Sequence, residues 1–464
     1  MRTTSVIQDP RIMRLNEEPA AAGDFVLYWM QQSQRASRNH ALEYAVQRAN
    51  DLGIPLLACF GLTSSYPEAS ERHYRFMLEG LAETSRNLER RGIRLVARLG
   101  EPDEVALEIG RKAALVVCDR GYLRHQRMWR SAVAAGAGRE VVEVESDLIV
   151  PVEAASDKAE TAARTIRPKI NRALEEYLVD LRATPLDNDS LSMRIKGEDA
   201  ADTDGLLEKL SPDRSVPAVD IFHGGAAEGK RLLNDFLGRS AASYVENRNR
   251  PETDDVSHMS KYLHFGQISP MYIALKVQDA KGPSDEFRRS YLEELIVRRG
   301  LAFNFVWHND AYDRFDCLPG WARKTLEEHA GDDRPHLYSA RRLEEADTHD
   351  RYWNAAMLEM KHTGYMHNYM RMYWGKKMLE WSASPRQAFR TALALNNRYF
   401  IDGRDPNSYA GVAWVFGMHD RAWGERKIFG KVRYMSSGGL ERKADPEAYV
   451  EKVERLVRRA GRED

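Results

Sequence analysis

Residues 25–30 read FVLYWM, an uncharged run of apolar and aromatic residues that decides the fold of the N-terminal part of the chain. Such a run indicates a strand that is covered on both faces. Predicted helices over residues 37–52 and 70–90 separate it from further runs: IPLLACFGL (54–62), IRLVARLG (93–100), ALVVCD (114–119) and EVVEVESDLIV (140–150). Strands that alternate with helices are typical of a doubly wound parallel sheet. We therefore expect an α/β domain over residues 24–185.

The bulk composition is that of a soluble globular protein with two domains. The chain has 464 residues, of which 43% are hydrophobic and 30% charged, and this length exceeds one ordinary core. No apolar run approaches the length of a membrane span. Residues 1–23 lack the apolar core of a signal peptide, so we expect a flexible leader.

Cysteine usage and charge limit the function classes further. Cys59, Cys118 and Cys317 lie far apart without metal-ligand spacing. This pattern predicts no metal site and a reducing, cytoplasmic compartment. The net charge is −1, so any binding to nucleic acid must depend on a local basic patch.

The second half of the chain has a different character. Residues 186–228 are polar and rich in Gly, Pro and Asp, which predicts a long surface linker with at most a short helix. Residues 229–464 are helical in pattern almost throughout, so we expect an all-α domain. Residues 348–445 hold five of the nine tryptophans. Tryptophan rings suit a large aromatic cofactor or an unstacked base, although a tryptophan-rich helical core explains the same composition.

Two serines come before a predicted helix in SYVENRNRPETDDVSHMSKYLHFGQISP (243–270). Ser257 and Ser260 either cap the free N–H groups of that helix, which is the commoner role, or help those groups to hold a phosphate. In the second case Tyr244 would donate from the side. Arg248 and Arg250 are solvated unless a DNA backbone lies against them.

A predicted helix over residues 290–308 (SYLEELIVRRGLAFNFVWH) carries Glu294 and Arg298 four residues apart. This spacing favours a surface ion pair. If Glu294 faces a cleft instead, it is a buried carboxyl that can hydrogen-bond to a pyrimidine edge, and burial would raise its pKa.

A further helix is predicted around residues 353–381, with Trp353 on its first turns or on a preceding helix. One face carries three residues at spacings of three and four, namely Asn368, Arg371 and Met372. Trp374 and Trp381 share another face. The three tryptophans either pass an electron hole outward or simply pack together, and packing is the commoner reason for such a stripe.

The stretch LNNRYFIDGRDPNSYAGVAW (395–414) contains a loop rich in turn-forming residues. Asn396 and Asp402 can present an amide and a carboxylate to a ring edge. Asp402 can also pair with Arg371, and such a pair beside a flavin would tune the charge of the ring.

Residues 421–443 hold seven Lys and Arg against two acids, with Trp423 and Phe429 interleaved. This composition suits phosphate contact and base stacking, and a solvated basic face explains it equally well.

Together these segments resemble a class II cyclobutane pyrimidine dimer (CPD) photolyase of the photolyase/cryptochrome superfamily. The resemblance covers nearly the whole chain, and it is carried by these segments: YWMQQSQRASRNHALEYA (28–45), TIRPKI (165–170), SHMSKYLHFGQIS, ELIVRRGLAFNF, THDRYWNAA, MHNYMRMYWGKKMLEW, DGRDPNSYAG and HDRAWGERKIFGKVRYM. It implies an α/β domain that can hold an antenna pigment and a helical domain that encloses FAD.

The resemblance also assigns roles to residues of this chain. Those that would hold FAD are Tyr244, Ser257, Met259, Ser260 and Asn407, with Arg371 and Asp402 paired beside the flavin and Asn396 near its N5 atom. Those that would carry electrons are Trp374, Trp353 and Trp381. Those that would contact the flipped dimer or the DNA are Glu294, Asn368, Met372, Trp414, Arg248, Asn249, Arg426, Lys431 and Arg433. Some members of the family carry tryptophan where Arg298 stands, which leaves the dimer contacts open at that position.

The function that the resemblance implies is light-driven repair of dimers in UV-damaged DNA by electron transfer from reduced FAD. A deazaflavin is the expected antenna rather than a folate, and a monomer that does not bind membranes is the expected assembly. Two alternatives remain open. A cryptochrome-like photoreceptor is disfavoured because the chain stops soon after KVERLVRRAGRED. A helical DNA-binding module without flavin leaves Arg371, Asn396 and Asp402 without a role.

Overall fold

The computed structural model describes residues 7–460, so the first six residues of the predicted leader lie outside the described residues. The N-terminal domain is built on six strands: β1 (Ile12–Arg14), β2 (Phe25–Trp29), β3 (Leu56–Leu62), β4 (Arg94–Leu99), β5 (Ala113–Asp119) and β6 (Val141–Val144). They lie in the order β1-β6-β5-β2-β3-β4. All neighbours are parallel except β1 and β6.

Helices cover both faces of this sheet, as the apolar strands predict. The helices of this domain are α1 (His40–Leu52), α2 (Glu71–Glu89), α3 (Pro102–Gly110), α4 (Arg124–Gly136), α5 (Val152–Ala155) and α6 (Ala163–Tyr177). Residues of α1 and α2 pack on one face, with Val26 and Tyr28 of β2. Residues of α3 and α4 pack on the other face, with Leu27 and Trp29. The predicted α/β fold is confirmed.

Residues 9–14 belong to this domain, so the prediction of a flexible leader is wrong there. β1 pairs antiparallel with β6 at the edge of the sheet. Arg11 is buried, and its guanidinium donates to the carbonyls of Leu148 and Ile149 at 3.0 and 2.5 Å. The predicted strand over residues 140–150 is also shorter than expected. Its ladder ends at Val144, and the next residues form a buried polar turn in which Asp147 pairs with Arg35 at 2.9 Å.

The linker carries one helix, α7 (Thr203–Leu210), and the C-terminal domain is helical, as predicted. Its helices are α8 (Ala226–Arg239), α9 (Tyr244–Asn247), α10 (Ser260–His264), α11 (Pro270–Asp279), α12 (Asp285–Leu292), α13 (Arg299–His308), α14 (Gly320–Glu328), α15 (Ala340–Glu344), α16 (Arg351–Thr363), α17 (Asn368–Trp381), α18 (Pro385–Tyr399), α19 (Pro406–Val415), α20 (Ser437–Glu441) and α21 (Pro446–Ala460). A π-helical segment, Glu293–Arg298, joins α12 to α13. Within residues 7–460, no helix has the length and apolar character that crossing a bilayer requires.

The helix predicted around residues 353–381 is two helices. Gly364 ends α16 with φ +66°, a conformation that favours glycine. A Cβ at this position would lie 2.6 Å from Ile401 Cγ1. The chain therefore turns between α16 and α17, and this turn sets their tryptophans side by side.

Buried polar contacts join the two domains. Arg72 of α2 is buried, and its guanidinium donates to the carbonyls of Tyr399 and Lys361, each at 2.7 Å. The neighbouring His73 ring meets the carbonyl of Phe400 at 2.9 Å. These contacts fix the end of α18, and with it the loop that follows, against the sheet domain.

Candidate functional site

A cavity of about 630 Å³ lies in the C-terminal domain, within the usual size range of cofactor pockets. Its walls come from α10, the π-helical segment, α17, α18 and α19. The predicted site residues that line it are Tyr244, Arg248, Asn249, Ser257, Met259, Ser260, Glu294, Asn368, Arg371, Met372, Trp374, Asn396, Asp402, Asn407 and Trp414. The fold thus brings together segments that are far apart in the sequence.

An ion pair between Arg371 and Asp402 lies on the cavity wall. Arg371 Nη2 is 2.9 and 3.1 Å from the two carboxylate oxygens. The guanidinium also donates to the carbonyl of Met366 at 3.1 Å and lies 3.8 Å from the centroid of the Phe400 ring. Burial acts to raise the pKa of Asp402, but the charge of Arg371 and a hydrogen bond from Ser260 outweigh it and hold this pKa below its ordinary value. The carboxylate therefore stays ionised.

The loop that carries Asp402 is held by its own side chains. Asp405 caps α19 by accepting from the backbone N–H of Asn407 at 2.8 Å. Arg404 has φ +61°, and its N–H donates to Asn397 Oδ1 at 3.1 Å. The same oxygen accepts from Asn396 Nδ2 at 3.0 Å. The buried Asn396 is thus tied to the loop that presents Asp402 and Asn407 to the cavity.

The commoner interpretation of the two serines, hydroxyl capping, is wrong. Met259 is the residue before α10, and no side chain accepts from the first N–H groups of this helix. Ser257 Oγ accepts from the Tyr291 hydroxyl at 2.8 Å, and Ser260 hydrogen-bonds to Asp402. Both hydroxyls are therefore engaged at the cavity wall rather than at the helix end.

The predicted pair of Glu294 with Arg298 does not form. The π-helical segment places residues five apart on one face, and Arg298 accordingly approaches Glu293 at 3.5 Å. Glu294 pairs with Arg248 at 2.7 Å and is 42% exposed. Its carboxylate does line the cavity, but the alternative of a buried carboxyl is also wrong, since this side chain is 42% exposed and has an ion partner.

The three predicted electron carriers form a row that starts at the cavity. Trp374 lines the cavity and stacks on Trp353, with ring centroids 6.5 Å apart and planes within 9°. Trp353 Nε1 donates to the carbonyl of Trp374 at 3.0 Å. Trp381 follows at 5.8 Å from Trp353. Trp353 and Trp381 do not reach the cavity, so the row leads away from it.

Three residues that were predicted to contact the DNA do not line the cavity, namely Arg426, Lys431 and Arg433. Lys431 approaches Glu425 at 3.7 Å, and Arg426 lies 3.8 Å from the centroid of the Tyr434 ring. Arg433 pairs with Asp420 at 2.9 Å, and its guanidinium lies 4.2 Å from the centroid of the exposed Trp423 ring. It also lies 5.5 Å from the centroid of the Trp414 ring. Arg433 therefore lies between Trp414 of the cavity wall and the basic surface formed with Arg426 and Lys431.

Two buried cations near the cavity were not predicted. Arg299 lines the cavity, is 5% exposed, and its Nη2 has no hydrogen-bond partner in residues 7–460. Lys261 is buried with its ammonium 3.5 Å from the centroid of the Phe222 ring, and burial lowers its pKa to about 7. The sequence signal for a buried Arg299 was the pair of adjacent arginines in the apolar stretch IVRRGLAF. No sequence signal pointed to the burial of Lys261.

Unpartnered donors indicate that the cavity is built to hold a ligand. Trp374 Nε1, like Arg299 Nη2, is buried and without a partner among the described residues. Buried donors of this kind are normally satisfied. A large polar ligand with an aromatic ring and anionic groups fits such walls.

A second and much smaller cleft lies where β2 and β3 end. It has a volume of about 50 Å³ and is lined by Gln31, Thr63, Tyr66, His73 and Arg404 among others. Pockets for drug-sized ligands span roughly 300–1,000 Å³. A tricyclic antenna pigment does not fit this cleft as it stands.

The two-domain fold and the interior cavity define a protein of the photolyase/cryptochrome superfamily. The DNA photolyase family profile matches residues 26–188. The cryptochrome of Synechocystis sp. PCC6803 has the same fold, with a TM-score of 0.73 at 16% identity over 92% of this chain and 87% of that one.

The sequence relatives are more specific than the fold. A deoxyribodipyrimidine photo-lyase of Methanothermobacter thermautotrophicus is 49% identical over 97% of this chain and 100% of its own length. A deoxyribodipyrimidine photo-lyase of Potorous tridactylus is 38% identical over 92% of this chain and 81% of its own length. The chain therefore belongs to the deoxyribodipyrimidine photo-lyase family, the light-dependent flavoenzymes of DNA repair.

Proposed function

We propose that this chain is a class II enzyme that repairs cyclobutane pyrimidine dimers in UV-damaged DNA with reduced FAD bound in the cavity. The observation that carries the proposal is that one cavity is lined both by the Arg371–Asp402 pair and by Glu294, Asn368 and Trp414. The first group suits a flavin edge, and the second suits a pyrimidine pair.

The cavity offers distinct contacts to the parts of FAD. Tyr244, Ser257 and Ser260 supply hydroxyls, and with Met259 and Asn407 they would hold the diphosphate. Arg371 and Asp402 would lie beside the isoalloxazine, with Asn396 near N5. Bound FAD in its reduced form would supply the light-driven one-electron chemistry that splits the cyclobutane bonds. The protein orients this ring and keeps water away from it.

Glu294 and Arg248 line the part of the cavity that would receive the dimer. Arg248 Nη2 lies 2.7 Å from the Glu294 carboxylate. An extruded dimer would take the place of Arg248 at this carboxylate, while Asn368 hydrogen-bonds to a base edge. Met372 and the Trp414 ring supply apolar surface for the bases. Arg248 and Asn249 are then free to fill the gap that the flipped bases leave in the duplex.

The basic surface outside the cavity would hold the DNA backbone. Arg426, Lys431 and Arg433 are the residues that we assign to it. Because these cations would neutralise phosphates and release the counterions of the DNA, binding should weaken with salt. A dimer that already stacks poorly lowers the cost of flipping, which favours damaged over intact duplex.

The tryptophan row would supply electrons when the bound FAD is oxidised. Trp374 meets the cavity, and Trp353 and Trp381 continue the row away from it. This route prepares the reduced enzyme and takes no part in the repair step itself.

We further propose that residues 24–185 form the antenna-type domain, that residues 186–228 link it to the catalytic domain over residues 229–464, and that a cytoplasmic monomer is the active form. A deazaflavin antenna stays a prediction of the family resemblance alone. The small cleft, with a volume of about 50 Å³, does not have room for its three fused rings.

Two measurements test this function. The absorption spectrum of the purified protein should show bound flavin, and the reduced enzyme should restore a thymine-dimer oligonucleotide under blue or near-UV light but not in the dark. Undamaged oligonucleotide is the control for binding. A yellow protein without light-dependent repair would favour a photoreceptor, and a colourless protein would favour a flavin-free DNA-binding module.

A further inference from the structure

The tryptophan row ends at a residue that solvent cannot reach directly. Trp381 is 2% exposed. An electron hole that arrives on its indole therefore needs a further partner. Two rings of the segment before α16 supply edge-on contacts: the ring centroid of Tyr338 lies 5.6 Å from that of Trp381, and the ring centroid of His349 lies at 5.0 Å.

Tyr338 and His349 are joined by two hydrogen bonds, both at the phenolic oxygen. The backbone N–H of His349 donates to the Tyr338 hydroxyl oxygen at 3.0 Å. The same hydroxyl lies 2.7 Å from His349 Nδ1. With an unprotonated Nδ1, the Tyr338 hydroxyl is the donor in this contact. A backbone hydrogen bond from Tyr338 N to the carbonyl of Trp381, at 3.0 Å, holds the ring against the end of α17.

We propose that Tyr338 and His349 form the proton-coupled end of the electron-supply route: Tyr338 gives an electron to oxidised Trp381 while its phenolic proton moves to His349 Nδ1. The inference rests on the proposed role of the tryptophan row. The O–H bond of Tyr338 breaks, Trp381 returns to a neutral indole, Tyr338 becomes a neutral phenoxyl radical and His349 becomes an imidazolium. The oxidant is the light-excited oxidised flavin acting through the row, and an external thiol restores Tyr338.

The surroundings of the two rings favour this transfer. A phenol loses an electron far more easily when a base takes its proton, so the base must be neutral and within hydrogen-bond reach. Burial lowers the pKa of His349, and the stacked His336 ring, whose centroid is 3.6 Å away, lowers it further. His349 is therefore a free base at neutral pH. His349 as a residue is exposed to solvent, so the proton can pass on to water.

Charged side chains around Tyr338 and His349 also affect where positive charge can form. Asp350 and Glu380 raise the pKa of His349, while Lys377 lowers it. The Lys377 ammonium lies 5.5 Å from the centroid of the Trp381 ring, where a cation disfavours a positive indole, although its 2.8 Å pair with Glu380 offsets part of this effect. The Arg342 guanidinium lies 4.8 Å from the centroid of the Tyr338 ring and resists positive charge there. A neutral phenoxyl radical is therefore the favoured product.

Flash photolysis of the FAD-loaded oxidised enzyme tests the inference. In the wild type, the absorption of the tryptophan radical should give way to that of a neutral tyrosyl radical, more slowly in D₂O than in H₂O. Tyr338→Phe should lose the tyrosyl signal and prolong the tryptophan radical. His349→Gln keeps a polar side chain without a basic nitrogen and should give the same loss. His336→Gln is the matched control, because His336 stacks on His349 without bonding to Tyr338. Measured above the ordinary histidine pKa of about 6.5, where His349 is neutral with or without this neighbour, it should retain the tyrosyl signal.

A second readout does not depend on light. NMR titration of the resting enzyme should find His349 with an unprotonated Nδ1 at neutral pH and a pKa below the ordinary histidine value. A protonated Nδ1 at neutral pH would overturn the inference. A wild type that forms the tryptophan radical without the tyrosyl radical would overturn this inference alone, whereas a wild type that forms neither would also overturn the proposed tryptophan row. Repair by chemically reduced enzyme does not use the route, so loss of that repair in either variant would indicate a structural role and overturn the assignment.

Discussion

Replacement of Asp402 by asparagine should destabilise the helical domain through the arginine that it leaves behind. The substitution keeps the shape of the side chain and removes only its charge. Arg371 and Asp402 are largely buried, with 22% and 11% of their side chains exposed. In the variant the guanidinium keeps its hydrogen bond to the carbonyl of Met366 at 3.1 Å but has no carboxylate partner.

The magnitude follows from this burial. Breaking a buried ion pair by removing one partner costs about 3–5 kcal/mol. The partial exposure of Arg371 and its remaining carbonyl contact place the expected loss at the lower end, about 3 kcal/mol, which is roughly a hundredfold in the folding equilibrium. Burial acts to raise the pKa of Asp402, and the net shift caused by Arg371 and Ser260 is downward. Its stabilising contribution is therefore complete above the unfolded pKa of about 3.9 and is lost as the pH falls through the folded pKa.

The assay is urea unfolding of the FAD-free protein, followed by the helical circular dichroism signal at pH 7 and again near pH 3.5. Glu345→Gln is the matched control, since it breaks a 3.7 Å pair with Arg341 whose side chains are 50% and 82% exposed, and such a pair contributes less than about 1 kcal/mol. The difference between wild type and Asp402→Asn should shrink at the lower pH. A loss at pH 7 no larger than that of the control would refute the reasoning.

Three further substitutions give separate outcomes. Asn396→Leu should leave the protein yellow but change its photoreduction spectra, because the polar group near N5 is gone; spectra identical to wild type would contradict this. Trp381→Phe should slow photoreduction of oxidised enzyme and spare repair by enzyme that has been reduced chemically, and an equal loss of both would count against the row. Gly364→Ala should lower the free energy of unfolding by about 1–3 kcal/mol, because φ is +66° and the new Cβ would lie 2.6 Å from Ile401 Cγ1. Gly320→Ala, where a Cβ meets nothing within 4 Å, is its control in thermal melts, and equal melting temperatures for the two variants would disprove the strain argument.

The sequence was most informative where burial is uniform along an element. β2, β3 and β5 are buried throughout, so their apolar runs could be recognised without any partner. β1 could not be recognised, because two of its three residues are only partly buried, the third is exposed, and the strand carries no periodic pattern.

Side-chain pairing was predictable only where both partners belong to recognisable sequence motifs. The pair of Arg371 with Asp402 was anticipated because both stand in recognisable motifs. The partner of Glu294 was missed. Pairing between residues four apart assumes an α-helix, and the chain forms a π-helical segment there. Its actual partner, Arg248, is 46 residues away, a distance over which spacing rules carry no information.

The hydrogen bonds of Arg72 and His73 between the domains limit how the two domains can be separated or exchanged. The donors belong to one domain and the carbonyls to the other, so cutting the chain at the linker would leave a guanidinium without acceptors on one fragment and bare carbonyls on the other. Chimeras that graft the sheet domain of one relative onto the catalytic half of another must carry both sides of this junction together.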